Sequence, residues 1–457
     1  MLDLLIRDGE IVDSQGIMRG SLGVAGGRIA ARFATGAELP PAREVIDAGD
    51  LVVAPGIVDP HVHFYGEGIG EYSRLAVMGG VTTFIGMIRG APDEPLESVT
   101  SRHVTDGQRD AVADFSFHVV LHDRDDVPAQ IAAAAARGFR SFKMFLAYKR
   151  RGMMVSERFL QTAMHEIRKI GGTALVHAED GEFVDALEQQ AIAAGRRKPE
   201  HYAPTRPPEA EAAAIEMVAL AAQLTGCRAY IVHVSSQAGL AAVERARARG
   251  VPLWAETCPQ YLLMNDDTLR RHGPLARIAP PLRQPADQTA LATALATGAI
   301  NTVGSDHASY AFAAKDEGRD DIFAAPFGMP GAPIHWPSMY TWALDHGVAL
   351  PVLVRAMSEA PARIFGLAHR KGTLLPGADA DIMLFDANTR RCVDAAKVWP
   401  KVCPNPLADT PLAGWPQVTI CRGVVAWREN DVQAAPGFGA LVEQQSHAPV
   451  SAAEART

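Results

Sequence analysis

Cysteine is scarce in this 457-residue sequence, and its five cysteines form no close C-x-x-C pair. Their odd number and wide spacing argue against a disulfide framework, and free thiols suit a cytoplasmic protein. No apolar run reaches the roughly 18 residues that a transmembrane helix requires. The first residues, MLDLLIRDGEIVD, carry acids early and lack the basic and apolar regions of a secretory signal.

Basic charge is also in deficit, with 44 Lys and Arg against 52 Asp and Glu and a formal net charge of -8. No long basic run is present, so we expect neither nucleic acid nor an anionic membrane surface as a partner. Hydrophobic residues make up 48% of the chain and charged residues 21%. This composition predicts a folded protein with a large buried core rather than a disordered one.

Strand-like and helix-like segments are unevenly distributed along the chain. Both ends combine β-branched residues with Gly or Asp breaks, as in LLIRDGEIVD and VTICRGVVAWREN. From about Ala54 to Leu367, short apolar runs alternate with alanine-rich amphipathic segments, several of which end in Gly. This alternation predicts an α/β fold with a parallel sheet covered by helices. There are enough units to close a barrel, although a doubly wound open sheet would show the same pattern.

The length exceeds that of a usual single domain but fits a barrel with one small added domain. The simplest assembly is a TIM-like (β/α)8 barrel over residues 54–368. Residues 1–53 and 369–445 would then form a small β-sandwich domain built from both chain ends. Residues 446–457 are small and polar, and we predict that they form a disordered tail.

Histidines and one aspartate lie where the predicted strands end. His61 and His63 alternate in the segment DPHVH, so both side chains would project from one face of a strand and could bind one metal ion. His177 and His233 end apolar runs, and Asp306 follows the last such run. Each residue alone is more often a hydrogen-bonded core or turn residue. Together they favour a metal site, because the carboxyl ends of barrel strands converge on one face.

Lys143 lies in an unusual place for a lysine, between Phe142 and Met144 in SFKMFLAY. Desolvation lowers the pKa of a buried amine, and a neutral amine can take up carbon dioxide to form a carbamate. A carbamate has two oxygens and can bridge two metal ions. For an isolated lysine, an ammonium that reaches out to solvent would be the better interpretation. The flanking sequence favours the carbamate.

Several segments occur in the order typical of one protein family. They are APGIVDPHVH, SFKMFLAYK, LVHAED, IVHVSS, ETCPQYL, APPLR, GSDH and GLAHRKGTLLPGADADIMLFD. With these segments the chain resembles the cyclic amidohydrolases of the hydantoinase, dihydropyrimidinase and allantoinase group. The likeness spans nearly the whole chain except the tail, and the ordered set is far more specific than any single motif.

The resemblance implies two divalent metal ions, most often Zn2+. It implies six ligands: His61, His63, Lys143 as its carbamate, His177, His233 and Asp306. His61 and His63 would bind the more buried ion, together with Asp306. His177 and His233 would bind the second ion, and carboxylated Lys143 would bridge both.

The resemblance also implies a reaction, the hydrolysis of a cyclic amide or imide of the hydantoin, dihydropyrimidine or allantoin type. A metal-bridging hydroxide would attack the ring carbonyl, since metal binding brings the pKa of water near neutral. Asp306 would act as general base and then as general acid. The hydroxyl of Tyr148 would help to stabilise the negative charge on the carbonyl oxygen. A homotetramer or dimer is implied as well.

The chain departs from the family pattern in its substrate contacts. Ala279 replaces a common serine before the PPLR segment, and Phe327 replaces an asparagine before G-x-P-G. These family contacts run largely through the backbone, so Tyr148, Ala279 and Phe327 remain the candidate substrate-binding residues. Phe327 should make the pocket more apolar or change its shape. The Arg that dihydroorotases carry soon after H-x-H is missing, because Phe64-Tyr65-Gly66 follows instead.

Two other functions fit parts of the pattern. A dihydroorotase-like hydrolase or a deaminase of the same superfamily would share the barrel, but deaminases of this class usually bind one metal and have no carboxylated lysine. A non-enzymatic scaffold is less favoured, because competent residues fill all six ligand positions. His118, His122 and His307 match no family ligand, and we expect them to be structural.

Overall fold

The computed structural model describes residues 1–448, and the chain begins with a run of strands. These strands are β1 (Leu2–Asp13), β2 (Gly16–Ala25), β3 (Arg28–Ala34), β4 (Ala42–Asp47) and β5 (Val52–Pro55). β1 pairs antiparallel with β2 and parallel with both β4 and β5. The first five strands therefore form part of one mixed sheet.

The next eight strands form a second sheet, in which every neighbouring pair is parallel. They are β6 (Ile57–Val62), β7 (Val81–Ile88), β8 (Asp114–Val120), β9 (Ser141–Phe145), β10 (Thr173–His177), β11 (Arg228–Ile231), β12 (Leu253–Thr257) and β13 (Thr302–Val303). A parallel bridge between Val62, at the end of β6, and His307, four residues after β13, joins the two edges of this sheet. The sheet is therefore a nearly closed barrel, not an open doubly wound sheet.

Helices alternate with the barrel strands, as the alanine-rich segments predict. Those between β6 and β13 are α1 (Ile69–Met78), α2 (Leu96–Asp110), α3 (Val127–Ala136), α4 (Glu157–Lys169), α5 (Gly181–Ala193), α6 (Pro208–Thr225), α7 (Gln237–Ala248), α8 (Pro259–Leu263), α9 (Asp266–His272) and α10 (Pro285–Thr297). Those after β13 are α11 (Phe312–Asp316), α12 (His335–His346), α13 (Leu350–Val354), α14 (Ala360–Ile364) and α15 (Ala395–Val398). Gly226 and Gly298 end α6 and α10 with φ of 68° and 83°, a left-handed conformation that glycine adopts at low cost.

The chain then returns to the first sheet through four strands. These are β14 (Ile382–Phe385), β15 (Pro416–Cys421), β16 (Val424–Arg428) and β17 (Asp431–Val432). β14 pairs antiparallel with β5, so strands from both ends of the chain belong to one mixed sheet of nine strands. The predicted fold class, a TIM-like barrel with a small β domain from both chain ends, is confirmed. The exact domain boundaries stay a prediction.

Ile85, Val120, Leu175 and Trp254, from four of the barrel strands, belong to one buried apolar cluster. No helix within residues 1–448 is long and apolar enough to cross a bilayer. Of the predicted tail, residues 449–457 lie outside the described residues. Before them, the backbone N–H of His447 donates to the carbonyl of Gly171 at 3.0 Å.

A buried lysine joins the barrel to the small domain. The ammonium of Lys371 lies 2.6 Å from Asp114 at the start of β8, and 2.8 and 3.0 Å from Asp381 and Asp379 before β14. The guanidinium of Arg422 adds a contact of 3.0 Å to Asp114. Asp114, Asp379 and Asp381 are all buried, so their charges depend on nearby cations, which for Asp379 include Arg370 at 2.9 Å.

We expect Lys371→Met to lower the free energy of unfolding by about 3–5 kcal/mol, because it leaves the buried carboxylates without their main cation. Denaturant titration followed by circular dichroism measures the change. Lys397→Met, on an exposed lysine of α15, is the control and should change stability by less than about 0.5 kcal/mol. Equal stability of the two variants would contradict a joining role for Lys371.

Candidate active site

The structure brings all six predicted ligand residues to one cavity at the carboxyl end of the barrel. Their positions along the strands are as follows: His61 in β6, His63 just after it, Lys143 within β9, His177 at the end of β10, His233 two residues after β11 and Asp306 three residues after β13. The side chains come from five different strands or strand ends. Barrel geometry, and not closeness in sequence, therefore assembles the site.

His61, His63 and Asp306 form the first group of candidate ligands. The Nε2 atoms of His61 and His63 lie 3.2 and 3.4 Å from Oδ1 of Asp306, and one ligand atom from each of the three residues falls within 4.8 Å of the others. Burial lowers the pKa of His63 to about 4. Burial alone would raise the pKa of Asp306, but His61 and His63 bring it below its usual value. Neutral imidazoles and a carboxylate are the forms that bind metal ions.

His177 and His233 form the second group. Nδ1 of His177 lies 2.9 Å from Nε2 of His233. Nε2 of His177 faces Glu179 at 2.7 Å, and a carboxylate can only accept, so this nitrogen carries the proton and Nδ1 keeps its lone pair. Burial lowers the pKa of both histidines. Two neutral imidazoles therefore point nitrogen atoms at the same small volume.

Lys143 is close enough to both groups for its charge to lower the pKa of His63 and of His177. It is fully buried, and its Nζ has no hydrogen-bond partner within residues 1–448. Burial lowers the pKa of this amine to about 7, although Glu256 and Asp306 act in the opposite direction. Nζ also lies 5.0 Å from the centroid of the Phe145 ring. A large fraction of neutral, nucleophilic amine is therefore present near neutral pH.

Glu256 is a site residue that the sequence does not predict, although it lies in the family segment ETCPQYL. Its Oε1 lies 2.6 Å from Nδ1 of His61 and accepts the backbone N–H of His233 at 3.1 Å. Its Oε2 accepts the hydroxyl of Tyr230 at 2.8 Å. One buried carboxylate thus orients a histidine of the first group and the backbone of the second.

Asp59 and Arg206 act in the same way on other parts of the site. Oδ1 of Asp59 accepts the backbone N–H of Ser305, the residue before Asp306, at 3.0 Å. Arg206 forms a buried ion pair with Glu179 and, although burial opposes it, lowers the pKa of that carboxyl to about 2. Glu179 therefore stays an acceptor for His177. No single motif in the sequence indicates either contact.

Three predicted site residues have a left-handed backbone: Tyr148 with φ of 64°, His233 with 41° and Asp306 with 48°. Only seven non-glycine residues within residues 1–448 have positive φ, and this conformation is costly for residues with a Cβ. Strained backbone that persists in three residues around one cavity is typical of a functional site.

Two rows of aromatic rings form the walls of the cavity. In one row, Tyr65 stacks on His63 at 5.1 Å between centroids and on Tyr310 at 5.5 Å. In the other, the ring of Tyr148 lies 4.8 Å from that of His177 and 5.3 Å from that of Phe327. Each row begins at a candidate ligand and leads towards the cavity mouth. All six rings line the cavity, and the part of the cavity that they border is here called the slot.

The predicted substrate contacts also line this cavity, which includes Tyr148, Ala279 and Phe327. The hydroxyl of Tyr148 makes no hydrogen bond to any described residue, and burial raises its pKa well above the usual value. It therefore stays protonated and free to donate. His118, His122 and His307 do not line the cavity: His118 contacts Ser141 and the carbonyl of Pro60 instead.

Comparison with known proteins decides the family. The model of the amidohydrolase family matches residues 52–426, which is most of the chain. This chain belongs to the amidohydrolase family. It is 31% identical to a D-hydantoinase of Ralstonia pickettii over 98% of this amidohydrolase and 100% of that protein. It is also 31% identical to an allantoinase of Solibacter usitatus, over 96% of each chain.

A solved structure supports the same assignment. The crystal structure of the dihydropyrimidinase from Brevibacillus agri superposes on this amidohydrolase with a TM-score of 0.93 and 29% identity. The match covers 98% of this chain and 100% of that one. The resemblance inferred from the ordered sequence segments is confirmed, and so is the assignment of the protein as a hydrolase.

We expect Glu256→Gln to weaken Zn2+ binding about 10- to 100-fold, because an amide holds His61 less firmly than a carboxylate does. Competition with a chelator at fixed pH measures the affinity, and circular dichroism reports the fold. The control is Glu216→Gln on α6, where the carboxylate pairs with Arg245 and Arg249 at the surface. Unchanged Zn2+ affinity in the Glu256 variant would contradict an orienting role.

Proposed function

We propose that this amidohydrolase opens a cyclic amide or imide of the hydantoin, dihydropyrimidine or allantoin type with the help of two divalent metal ions. The observation that carries the proposal is a single cavity in which four imidazoles, one carboxylate and the unpaired amine of Lys143 converge. The names of its relatives, D-hydantoinase and allantoinase, agree with this class of substrate.

The donor set fits two metal ions. His61, His63 and Asp306 would hold one ion, and His177 and His233 the other. Lys143, as its carbamate, would bridge them, which explains why a buried amine lies there without a partner. When bound, such ions activate water as a nucleophile and polarise the carbonyl that is attacked. Zinc is the proposed metal because nitrogen and oxygen ligands of this kind suit it.

Asp306 is the proposed proton carrier of the reaction. Its carboxyl is ionised near neutral pH, since neighbouring histidines lower its pKa, and it faces the cavity. It would accept a proton from water as the oxygen attacks the ring carbonyl, and then donate it to the ring nitrogen as the C–N bond breaks. Water is thereby divided between the new acid and the released nitrogen.

Tyr148 would donate its free hydroxyl to the carbonyl oxygen as negative charge develops there. Ala279 and Phe327 would contact the substrate mainly through their backbones, and the phenyl ring of Phe327 would form one face of the slot. A homotetramer or dimer is part of the same proposal and can be tested by light scattering.

A panel of cyclic amides tests the proposed function. With Zn2+ or Mn2+ present, we expect the wild type to open at least one hydantoin, dihydropyrimidine or allantoin to a carbamoyl-type acid. Asp306→Asn should lower turnover at least about 100-fold, because the proton carrier is lost, while circular dichroism stays unchanged. Chromatography of the ring-opened product measures both. Release of ammonia from an intact ring would instead indicate a deaminase.

We expect Lys143→Ala to lose at least one metal ion per chain, because the described lining offers no second bridging group once Asp306 binds the first ion. Metal analysis of dialysed protein measures this, and carbon-13 NMR after labelling with bicarbonate should show a carbamate only in the wild type. The matched control is Lys315→Ala, which removes another buried lysine whose pKa burial lowers to about 7. A full metal content in the Lys143 variant would overturn the proposed site.

A further inference from the structure

The charge of the cavity lining is unbalanced towards its mouth. Asp306 is the only carboxylate among the described residues that line the cavity, and His61 and His63 already contact it. Arg151 also lines the cavity, from a turn that follows β9. A cation at the mouth with no anion opposite it is available to bind an anion that enters the cavity.

Unlike its two neighbours in sequence, Arg151 has no acidic partner among the described residues. Lys149 pairs with Glu182 at 2.5 Å and Arg150 with Asp185 at 2.6 Å. Within residues 1–448, Arg151 forms no ion pair, and its guanidinium carbon lies 4.4 Å from the ring centroid of Phe327. The turn therefore uses two of its cations to bind α5 and presents the third to the cavity.

Two further arginines without carboxylate partners among the described residues lie near Arg151. Arg277 is 1% exposed, its guanidinium carbon is 4.1 Å from the ring centroid of Phe327, and its Nε and Nη1 have no partner. Arg89, just after β7, contacts Sδ of Met153, which lines the cavity, at 2.9 Å. Burial lowers the pKa of Arg277 only to about 10, so it remains a cation at neutral pH.

Of the three arginines, only Arg151 lines the cavity, and its exposure places it at the mouth. Arg277 contacts the ring of Phe327, and Arg89 contacts Met153. A ring held between the walls, with its carbonyl at His61 and His177, would direct a substituent past Tyr148 and Phe327 towards Arg151. A guanidinium binds a carboxylate through paired, charge-assisted hydrogen bonds. The ring of Phe327 supplies no competing acceptor for such bonds.

We propose that the cyclic amide opened here carries an anionic substituent, such as a carboxyalkyl group, which Arg151 binds at the cavity mouth. Arg89 and Arg277 add to the positive potential at that point. This inference rests on the proposed function, since it concerns the substrate of the same site. The specificity-determining cation would then lie on the turn after β9, whereas the arginine of dihydroorotases follows soon after the H-x-H segment.

The hydantoins of glutamate and glutamine test the proposal, because they differ only in a side-chain carboxylate or amide. At low ionic strength, we expect kcat/KM of the wild type to be at least about 10-fold higher for the glutamate hydantoin. Arg151→Gln should bring this ratio close to one by slowing only the charged substrate. Added salt should also lower the ratio, because Arg151 is exposed.

Arg150→Gln is the matched control, one residue away and paired with Asp185, and should keep the ratio of the wild type. Arg89→Gln should lower the ratio less than Arg151→Gln does. A wild type that prefers the glutamine hydantoin, or an Arg151→Gln variant with an unchanged ratio, would overturn the proposal.

Failure of the proposed function gives a different result. If the metal-loaded wild type opens neither hydantoin nor any member of the panel, the proposed function is wrong, and calorimetric binding of the same two hydantoins decides the inference. Tighter binding of the glutamate hydantoin that disappears in Arg151→Gln would support an anion site at the mouth. Equal binding of the two compounds to the wild type would overturn it.

Discussion

Closure of the barrel is the constraint on which the candidate site depends. The backbone N–H of His63 donates to the carbonyl of His307 at 2.8 Å, and this contact brings the end of the first barrel strand against the segment after the last one. His61 and His63 thereby meet Asp306. In an open sheet of eight strands the two edges would be roughly 33 Å apart, and the first group of candidate ligands could not form. Orienting contacts from Glu256 and Asp59 then refine a placement that the closed sheet already dictates.

The site is costly for the stability of the fold. Four histidines and one lysine are held largely out of water, and Nζ of Lys143 has no partner among the described residues. Three residues of the site also have a left-handed backbone conformation. Each buried polar group without a partner costs about 1–3 kcal/mol. A chain selected for stability alone would replace these residues with apolar ones. The proposed pair of metal ions would satisfy them.

Much of this architecture could be predicted from the sequence. The alternation of apolar runs with alanine-rich segments predicts the barrel units, and the place of His177 and His233 at the ends of such runs predicts their convergence. Closure could not be predicted from periodicity, because an open sheet repeats in the same way. Glu256 was missed because its contact with His61 joins residues 195 positions apart. Arg151 could not be predicted because Lys-Arg-Arg in the sequence resembles any solvated turn. Only the structure shows that Glu182 and Asp185 pair with the first two of these residues and not with Arg151.

The pairing of β5 with β14 has a consequence for how the protein is made. The ribosome synthesises β1 to β5 first, but β14, the partner of β5, is synthesised only after the entire barrel. During translation the edge of β5 is left without its neighbour, and such an edge is a template for pairing with other chains. A circular permutant that starts at β6, with the two original ends linked, would deliver the small sheet without interruption. Comparing its yield of soluble protein with that of the natural order would reveal how much aggregation the split domain causes.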